Sequence, residues 1–250
     1  MSKLKRQGGI IVIDGPDGTG KSTTIKLVLE LCRRRKPLGP TKFLSEGFPN
    51  YADFYGKQVR SYLDGDQASE ERRVPSEIRQ DPYCASLPYA ADRYRTYTKV
   101  MKAKLDSGGW FILDRYISSN MAFQGAKIAN QKEKRLFVGR LIQLEHGYFN
   151  LPKPDLVIIL SLSETVRKKR TDLRQLNHLK KGGGQIGQFS KHDLHEQDLV
   201  YMAKVAAQYK ALTKQFGWQN VDCLDNGREL TPTEVAERVY QVIRHRLLGN

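Results

Sequence analysis

Apolar and polar positions along this chain fall into two kinds of stretch. Short apolar or alternating runs occur at 10–14, 42–45, 110–113, 156–160 and 220–224, the most apolar of them rich in Ile, Val and Leu. They are too short for helices and are bounded by Gly, Pro, Asp or Ser, so they predict strands. Between them apolar residues return every three or four positions. That spacing predicts helices over 21–35, 54–63, 83–106, 133–149, 163–179, 194–216 and 232–248. Breakers separate the elements at Pro37-Leu-Gly-Pro40, Ser107-Gly-Gly109 and Leu151-Pro-Lys-Pro154. Thr231-Pro-Thr-Glu234 reads as a helix start, with Thr231 as N-cap, Pro232 in the first position and Glu234 closing a capping box. The alternation predicts an α/β fold: a five-stranded parallel sheet with helices on both faces.

No internal repeat or long linker divides the chain, so residues 1–250 read as a single domain with insertions. Residues 64–82 are polar and predict an irregular loop. Lys180-Lys-Gly-Gly-Gly-Gln-Ile-Gly187 reads as a flexible flap. No apolar run approaches the length of a membrane span, and the apolar run after the polar, basic residues 1–7 is too short for a signal peptide. Cys32, Cys84 and Cys223 are scattered without metal-ligand or redox spacing, which predicts reduced packing residues in a cytoplasmic enzyme. The net charge of +15 fits either a cleft for polyanionic nucleotides or a nucleic-acid surface. Arg33-Arg-Arg-Lys36 closes the first predicted helix, where cations complement the dipole. No zinc-binding or groove-reading pattern speaks for nucleic acid.

Candidate chemistry decides between these readings. The first run passes from Asp14 directly into G-x-x-x-x-G-K-S, and a helical pattern begins at Lys21. This is a phosphate-cradling loop in the strand–loop–helix context it needs. Gly15, Gly18 and Gly20 let backbone N–H groups turn inward, and the helix start adds its positive end. Pro16, Asp17, Thr19 and Thr23 complete the predicted nucleotide-binding stretch. Lys21 is expected to reach the β- and γ-phosphates, and the Ser22 hydroxyl to bind Mg²⁺. The run 110–113 ends at Asp114, expected beside the first strand with its carboxylate in the Mg²⁺ shell. Where an enzyme hydrolysing ATP commonly places a glutamate, this chain has Arg115, a forked phosphate-binding side chain. That favours transfer to a bound acceptor.

Several segments together resemble thymidylate kinase, from about residue 9 to 217. They are Asp14-Gly-Pro-Asp17 with its loop, Phe48-Pro-Asn-Tyr51, Leu87-Pro-Tyr-Ala-Ala-Asp-Arg93, Asp114-Arg-Tyr-Ile-Ser-Ser-Asn-Met-Ala-Phe-Gln-Gly125 and Leu151-Pro-Lys-Pro-Asp155. The resemblance implies the architecture of a phosphate-loop nucleoside monophosphate kinase, with an acceptor-binding region over about 46–125 and a mobile lid over about 164–192. It implies the reaction ATP + dTMP → ADP + dTDP, supplying dTTP biosynthesis with Mg²⁺ as cofactor, in a homodimer. It also implies roles. Asp17 approaches the acceptor's 3′-hydroxyl and the metal region, and Tyr89 stacks on thymine. Arg93 and Arg115 hold the acceptor phosphate and the transferring group, and Ser119 and Asn120 read the base edge. Phe123 packs near the sugar and disfavours a 2′-hydroxyl, while Tyr51, after Phe48-Pro49, lies in the acceptor site.

Some members of that family carry an arginine inside the phosphate loop, where this chain has Gly18-Thr19. Relatives without it supply arginines from the lid. The basic run from Arg167 to Lys181 supplies candidates, and Arg167 and Arg170 are expected to face phosphate. Asp193, in the segment 191–196, reads as a cap or nucleotide contact. Three other readings remain at this point, one of them a kinase acting on a different monophosphate, such as dUMP or a purine nucleotide. A deoxynucleoside kinase acting on thymidine would need a base, for which Glu46 is placed. A nucleotide-gated nucleic-acid-binding protein would use the positive charge directly.

Overall fold

The computed structural model describes residues 8–35, 42–65, 68–170 and 199–248. Its five strands are β1 (Ile10–Asp14), β2 (Phe43–Gly47), β3 (Trp110–Asp114), β4 (Leu156–Ser161) and β5 (Gln219–Asp222). All are parallel, in the order β2-β3-β1-β4-β5. The chain leaves β1 for the β2 edge, returns to β3, and then crosses to β4 on the other side. The connections therefore diverge at the C-terminal end of β1, where an open α/β sheet forms its ligand crevice. Pairing brings Ile13 and Gly47 both opposite Asp114, so the acidic ends of β1 and β3 share one rim.

Alternation within β1 divides the core. Ile10 and Val12 pack with Phe111, Leu113, Phe137, Leu141, Val205 and Tyr209 on one face. Ile11 and Ile13 pack with Ile25, Val28, Leu29, Val235, Val239 and Ile243 on the other. The second face is covered by α1 (Lys21–Arg35) and the C-terminal helix Pro232–Leu248. A satellite cluster of Val59, Tyr62, Leu63 and Ala85 joins α2 (Phe54–Asp64) to the helix that starts at Pro82, with Tyr51 and Tyr89 packed against it. That cluster props up one end of the crevice.

The elements depart from the sequence pattern at their edges. The polar stretch 64–82 is not wholly irregular: Glu70–Arg72 forms a 3₁₀ turn and α3 spans Ser76–Gln80. The predicted helix 83–106 is α4 (Pro82–Thr96), a π-helical turn at Tyr97–Met101, and α5 (Lys102–Asp106). A further helix, α6 (Ile117–Phe123), follows β3 and was not predicted, its two turns being too short for a periodic signal. Next come α7 (Gln131–Ile142) and a second π-helical turn at Gln143–Tyr148, together filling the predicted 133–149. Of the predicted helices 163–179 and 194–216, residues 164–170 and α8 (Leu199–Phe216) are seen. The flap 180–187, the rest of the lid from 171, Asp193 and the breaker 37–40 lie outside the described residues. Beyond β5 the pattern predicted only the final helix, α9 (Pro232–Leu248), but a small antiparallel hairpin intervenes. It comprises β6 (Leu224–Asp225) and β7 (Arg228–Glu229). Asn226 and Gly227 turn it at φ 48° and 83°, as a two-residue hairpin loop requires. No helix among the described residues is long and apolar enough to cross a membrane. All three cysteines are free.

Candidate active site

The loop after β1 closes because its glycines have conformations and clearances that other residues lack. Gly15 sits at φ 137°, and a Cβ there would lie 2.4 Å from the Leu160 carbonyl oxygen. Gly18 and Gly20 are also left-handed, at φ 83° and 88°. Thr19 Oγ1 donates to the Pro16 carbonyl at 2.9 Å, folding the loop on itself. Lys21 opens α1, and its ammonium donates to the carbonyls of Gly15 and Pro16, both at 3.0 Å. Asp17 Oδ1 lies 3.5 Å away. Burial, then the neighbouring Arg115, pushes the Lys21 pKa down, with Asp17, Asp114 and Asp14 opposing. Ser22 and Thr23 follow on the exposed first turn. Ser22 Oγ donates to Asp114 Oδ2 at 2.6 Å, so the two predicted Mg²⁺ ligands meet.

Arg115 occupies a left-handed backbone position, φ 69°, unusual for a residue with a side chain. Its N–H donates to Ile13 O at 3.2 Å, which ties the turn after β3 to β1. One arm of the guanidinium is held by the Asp17 carboxylate, and the other donates to Ser119 Oγ at 3.2 Å. The fork also lies over the Phe123 ring, 5.4 Å from its centroid. Burial opposes the charge on Arg115, but Asp17 first among its neighbours raises the pKa well above its ordinary value.

Asp14 organises this corner, and the sequence reading gave it no role. It is fully buried, and its carboxylate accepts from Gly15 N (2.8 Å), Ser118 Oγ (2.5 Å), Ser119 Oγ (2.8 Å) and Tyr209 Oη (2.8 Å). Tyr209 comes from α8, too far along the chain for spacing to reveal it. The available signal was Asp14 itself, since an acid ending a buried strand requires matching donors. Burial, then the Asp14 charge, pushes the Tyr209 phenol well above its usual range. Phe123 meets the Tyr209 ring edge-on at 6.2 Å.

The other end of the crevice is aromatic. Phe48 is buried against Tyr116, with ring centroids 6.0 Å apart, and the Phe48–Pro49 bond is cis. Asn50 N donates to Asp92 Oδ2 at 2.9 Å, fastening this loop to α4. The Arg60 guanidinium lies 5.5 Å from the Tyr51 ring centroid. Tyr89 meets Tyr62 edge-on at 6.0 Å. Asn120 is buried, and its Nδ2 donates to Ser86 O at 3.1 Å, which leaves Oδ1 as the amide's acceptor. Arg93 has a partner on another element that the sequence reading did not include. Its Nε and Nη2 both reach Glu145 at 2.6 Å, in a pair removed from water.

One cavity of about 850 Å³ joins the two ends. Asp17, Gly18, Gly20, Lys21, Ser22 and Thr23 line one part with Asp114 and Arg115; Phe48, Tyr51, Tyr89, Arg93, Ser119, Asn120 and Phe123 line the rest. Arg170 also borders it, whereas Arg167 does not. Arg167 is buried, with no hydrogen-bond partner for Nε among the described residues, and burial lowers its pKa. Gly15, Pro16 and Thr19 lie behind the lining and shape it.

Residues 13–217 match the family profile described as thymidylate kinase. The chain belongs to the thymidylate kinase family. A probable thymidylate kinase of Pyrobaculum aerophilum is 28% identical over 235 residues, covering 94% of this chain and 97% of that protein. Human thymidylate kinase is 32% identical over 166 residues, 66% of each chain. The solved structure of a thymidylate kinase from Candida albicans aligns with a TM-score of 0.62 at 22% identity, covering 96% of this chain and 92% of that one. That likeness concerns the fold.

Two further side chains of this thymidylate kinase relative border the cavity without having been singled out for the acceptor. Gln124 is 1% exposed, and its Oε1 has no hydrogen-bond partner among the described residues. It stands one helical turn after Asn120, and that spacing of four was the signal. Arg60 adds a cation beside Tyr51. Glu46, the candidate base of the thymidine reading, also borders the cavity, and burial pushes its carboxyl up against the opposing field of Lys104. Family membership supports neither that reading nor the nucleic-acid one.

Proposed function

We propose that this chain transfers the γ-phosphoryl group of ATP to dTMP, giving ADP and dTDP. One observation carries the reading: a single cavity runs from the phosphate loop, past the clamped Arg115 fork, to a pocket of aromatic rings and an oriented amide. Loop N–H groups and Lys21 bind the donor phosphates, and dTMP lies beyond Arg115. The acceptor phosphate has a second pKa of about 6, so it is largely dianionic at neutral pH and needs no base to become nucleophilic. Catalysis is then positioning plus charge stabilisation. Lys21 and Arg115 supply cations that Asp17, Ser119 and the loop carbonyls hold in place before any phosphate arrives.

Ser22 and Asp114 fit Mg²⁺: both offer hard oxygen donors, 2.6 Å apart, beside the phosphate loop. Mg²⁺ commonly takes one or two protein oxygens and completes its shell with substrate phosphates and water. When bound, Mg²⁺ would neutralise charge on the β- and γ-phosphates. At the other end Tyr89 offers a stacking face. Asn120, its Nδ2 held by Ser86, presents an acceptor that matches N3–H of thymine and opposes the bare N3 of cytosine. The Phe123 ring, between Arg115 and Tyr209, forms the sugar wall. Arg93, tied to Glu145 through Nε and Nη2, keeps the Nη1 donors and the second Nη2 N–H for the acceptor. Arg170 faces the donor phosphates, and we extend the family expectation to a cytoplasmic homodimer.

Alanine in place of Lys21 or Arg115 tests the assignment. Each is expected to lower turnover at least about 100-fold, in the range lost with a single transition-state donor, while unfolding temperature changes little. Normal turnover by either folded variant would contradict it.

A further inference from the structure

The proposed reaction makes no use of the hairpin β6–β7, yet it reaches the phosphate loop through one side chain. Arg170 Nη1 lies 3.9 Å from where a Cβ would stand on Gly20, the glycine immediately before Lys21. Arg170 borders the cavity there, beside Gly18, Gly20 and Lys21. The other edge of the same fork is occupied: Nε and Nη2 lie 3.2 and 3.1 Å from Glu229 Oε2. A guanidinium is planar, so fixing Nε and Nη2 also fixes where Nη1 projects.

Glu229 is itself well placed to hold something. It ends β7, paired with Leu224 across the hairpin. The preceding Arg228 reaches both carboxylate oxygens of Glu234 on α9, at 3.2 and 2.8 Å. Arg238, also on α9, holds Asp225 at 3.2 Å. On the other side Leu230 N donates to Cys223 O at 3.0 Å, and the Cys223 thiol faces the Thr19 carbonyl of the phosphate loop at 3.8 Å. The hairpin is thus referenced to the loop it overlooks, and Arg170 joins the two through Glu229.

We infer that Glu229 is a positioning residue: it holds the Arg170 guanidinium beside the phosphate loop with Nη1 directed to the donor phosphates. The inference rests on reading that loop as the ATP site. The pair is partly exposed, 29% at Arg170 and 39% at Glu229, and such pairs add little to folding. Its consequence lies in the rotamer freedom that Arg170 no longer has to lose when phosphate arrives.

Glu229→Gln keeps the side chain's size and removes its charge, and Arg170→Ala removes the fork. The wild-type chain, both single variants and the double variant are compared in two measurements. One is ADP formation at saturating dTMP; the other is calorimetric affinity for a non-hydrolysable ATP analogue. Glu229→Gln is expected to lower kcat and analogue affinity each about 5-fold, the scale of one exposed charge pair, at unchanged unfolding temperature. In the Arg170→Ala background the same substitution should change neither, and Glu229→Asp should recover part of the loss. Wild-type or faster turnover by Glu229→Gln, or losses that multiply in the double variant, would overturn the inference. A wild-type chain unable to phosphorylate dTMP would instead defeat the parent reading. The four analogue affinities would then still decide the role of Glu229.

Discussion

Arg93 and Glu145 form a two-point ion pair from which water is almost wholly excluded, with side-chain exposures of 2% and 0%. Burial alone would disfavour the arginine charge, but Glu145, at two short contacts, raises the Arg93 pKa instead. Such a pair contributes little net stability against an apolar substitute, yet losing one partner strands the other without solvent. Glu145→Gln is therefore expected to cost about 3–5 kcal/mol in urea unfolding; a loss below about 1 kcal/mol would show that Arg93 finds another partner. The pair is the part of Arg93's setting that the sequence could not show. Spacing brought it to the acceptor pocket, where it does stand, but nothing local to residues 87–93 could reveal an acid 52 residues away. Asp14 is the same lesson reversed. Its buried carboxylate collects Ser118, Ser119 and Tyr209, which lie 104, 105 and 195 residues away, beyond any local pattern. Lys21 and Ser22 were legible because the phosphate-loop motif fixes their spacing, and Asp114 because it ends an apolar strand run; all three border one cavity.

The helix α9 shows an element whose start is written in four residues. Thr231 N donates to Glu234 Oε2 at 2.7 Å, and Glu234 N donates to Thr231 Oγ1 at 3.2 Å, the reciprocal pairing of a capping box. Arg228, from the hairpin, holds the same carboxylate, and with the Thr231 N–H lowers its pKa from 4.5 to about 2. A carboxyl depressed on folding stabilises the native state above its unfolded pKa, and that contribution is lost as pH falls through the folded value. The window here runs from pH 4.5 down to 2. Unfolding temperature should fall through that window more steeply for the wild-type chain than for Glu234→Gln, which lacks the titrating group. Parallel profiles would contradict the assignment. The box was legible because capping chemistry is local. The hairpin beside it was not, since strands of two residues show no period; its one signal was the dipeptide Asn226-Gly227. Helix α6 escaped for a related reason, yet it carries Ser119, Asn120 and Phe123 to the cavity.

At the scale of the molecule, strand runs and breakers were enough to anticipate a five-stranded parallel sheet, and the phosphate-loop chemistry to place β3 beside β1, but not the rest of the order. Runs buried on both faces look alike, so their neighbours are decided by helix packing that the pattern does not encode. The order β2-β3-β1-β4-β5 matters because it sets β1 and β3 side by side and opens the crevice at their acidic ends. Cations from separate parts of the chain converge there: Lys21, Arg60, Arg93, Arg115 and Arg170 all border one cavity. That convergence gives part of the +15 charge a purpose in drawing polyanionic nucleotides. The direct test is ADP production from ATP and Mg²⁺ with dTMP, dUMP, dCMP, thymidine or no acceptor. The account predicts turnover strongest with dTMP, far weaker with dCMP, and at background with thymidine or no acceptor. Turnover strongest with thymidine, or equal ADP release without any acceptor, would contradict it.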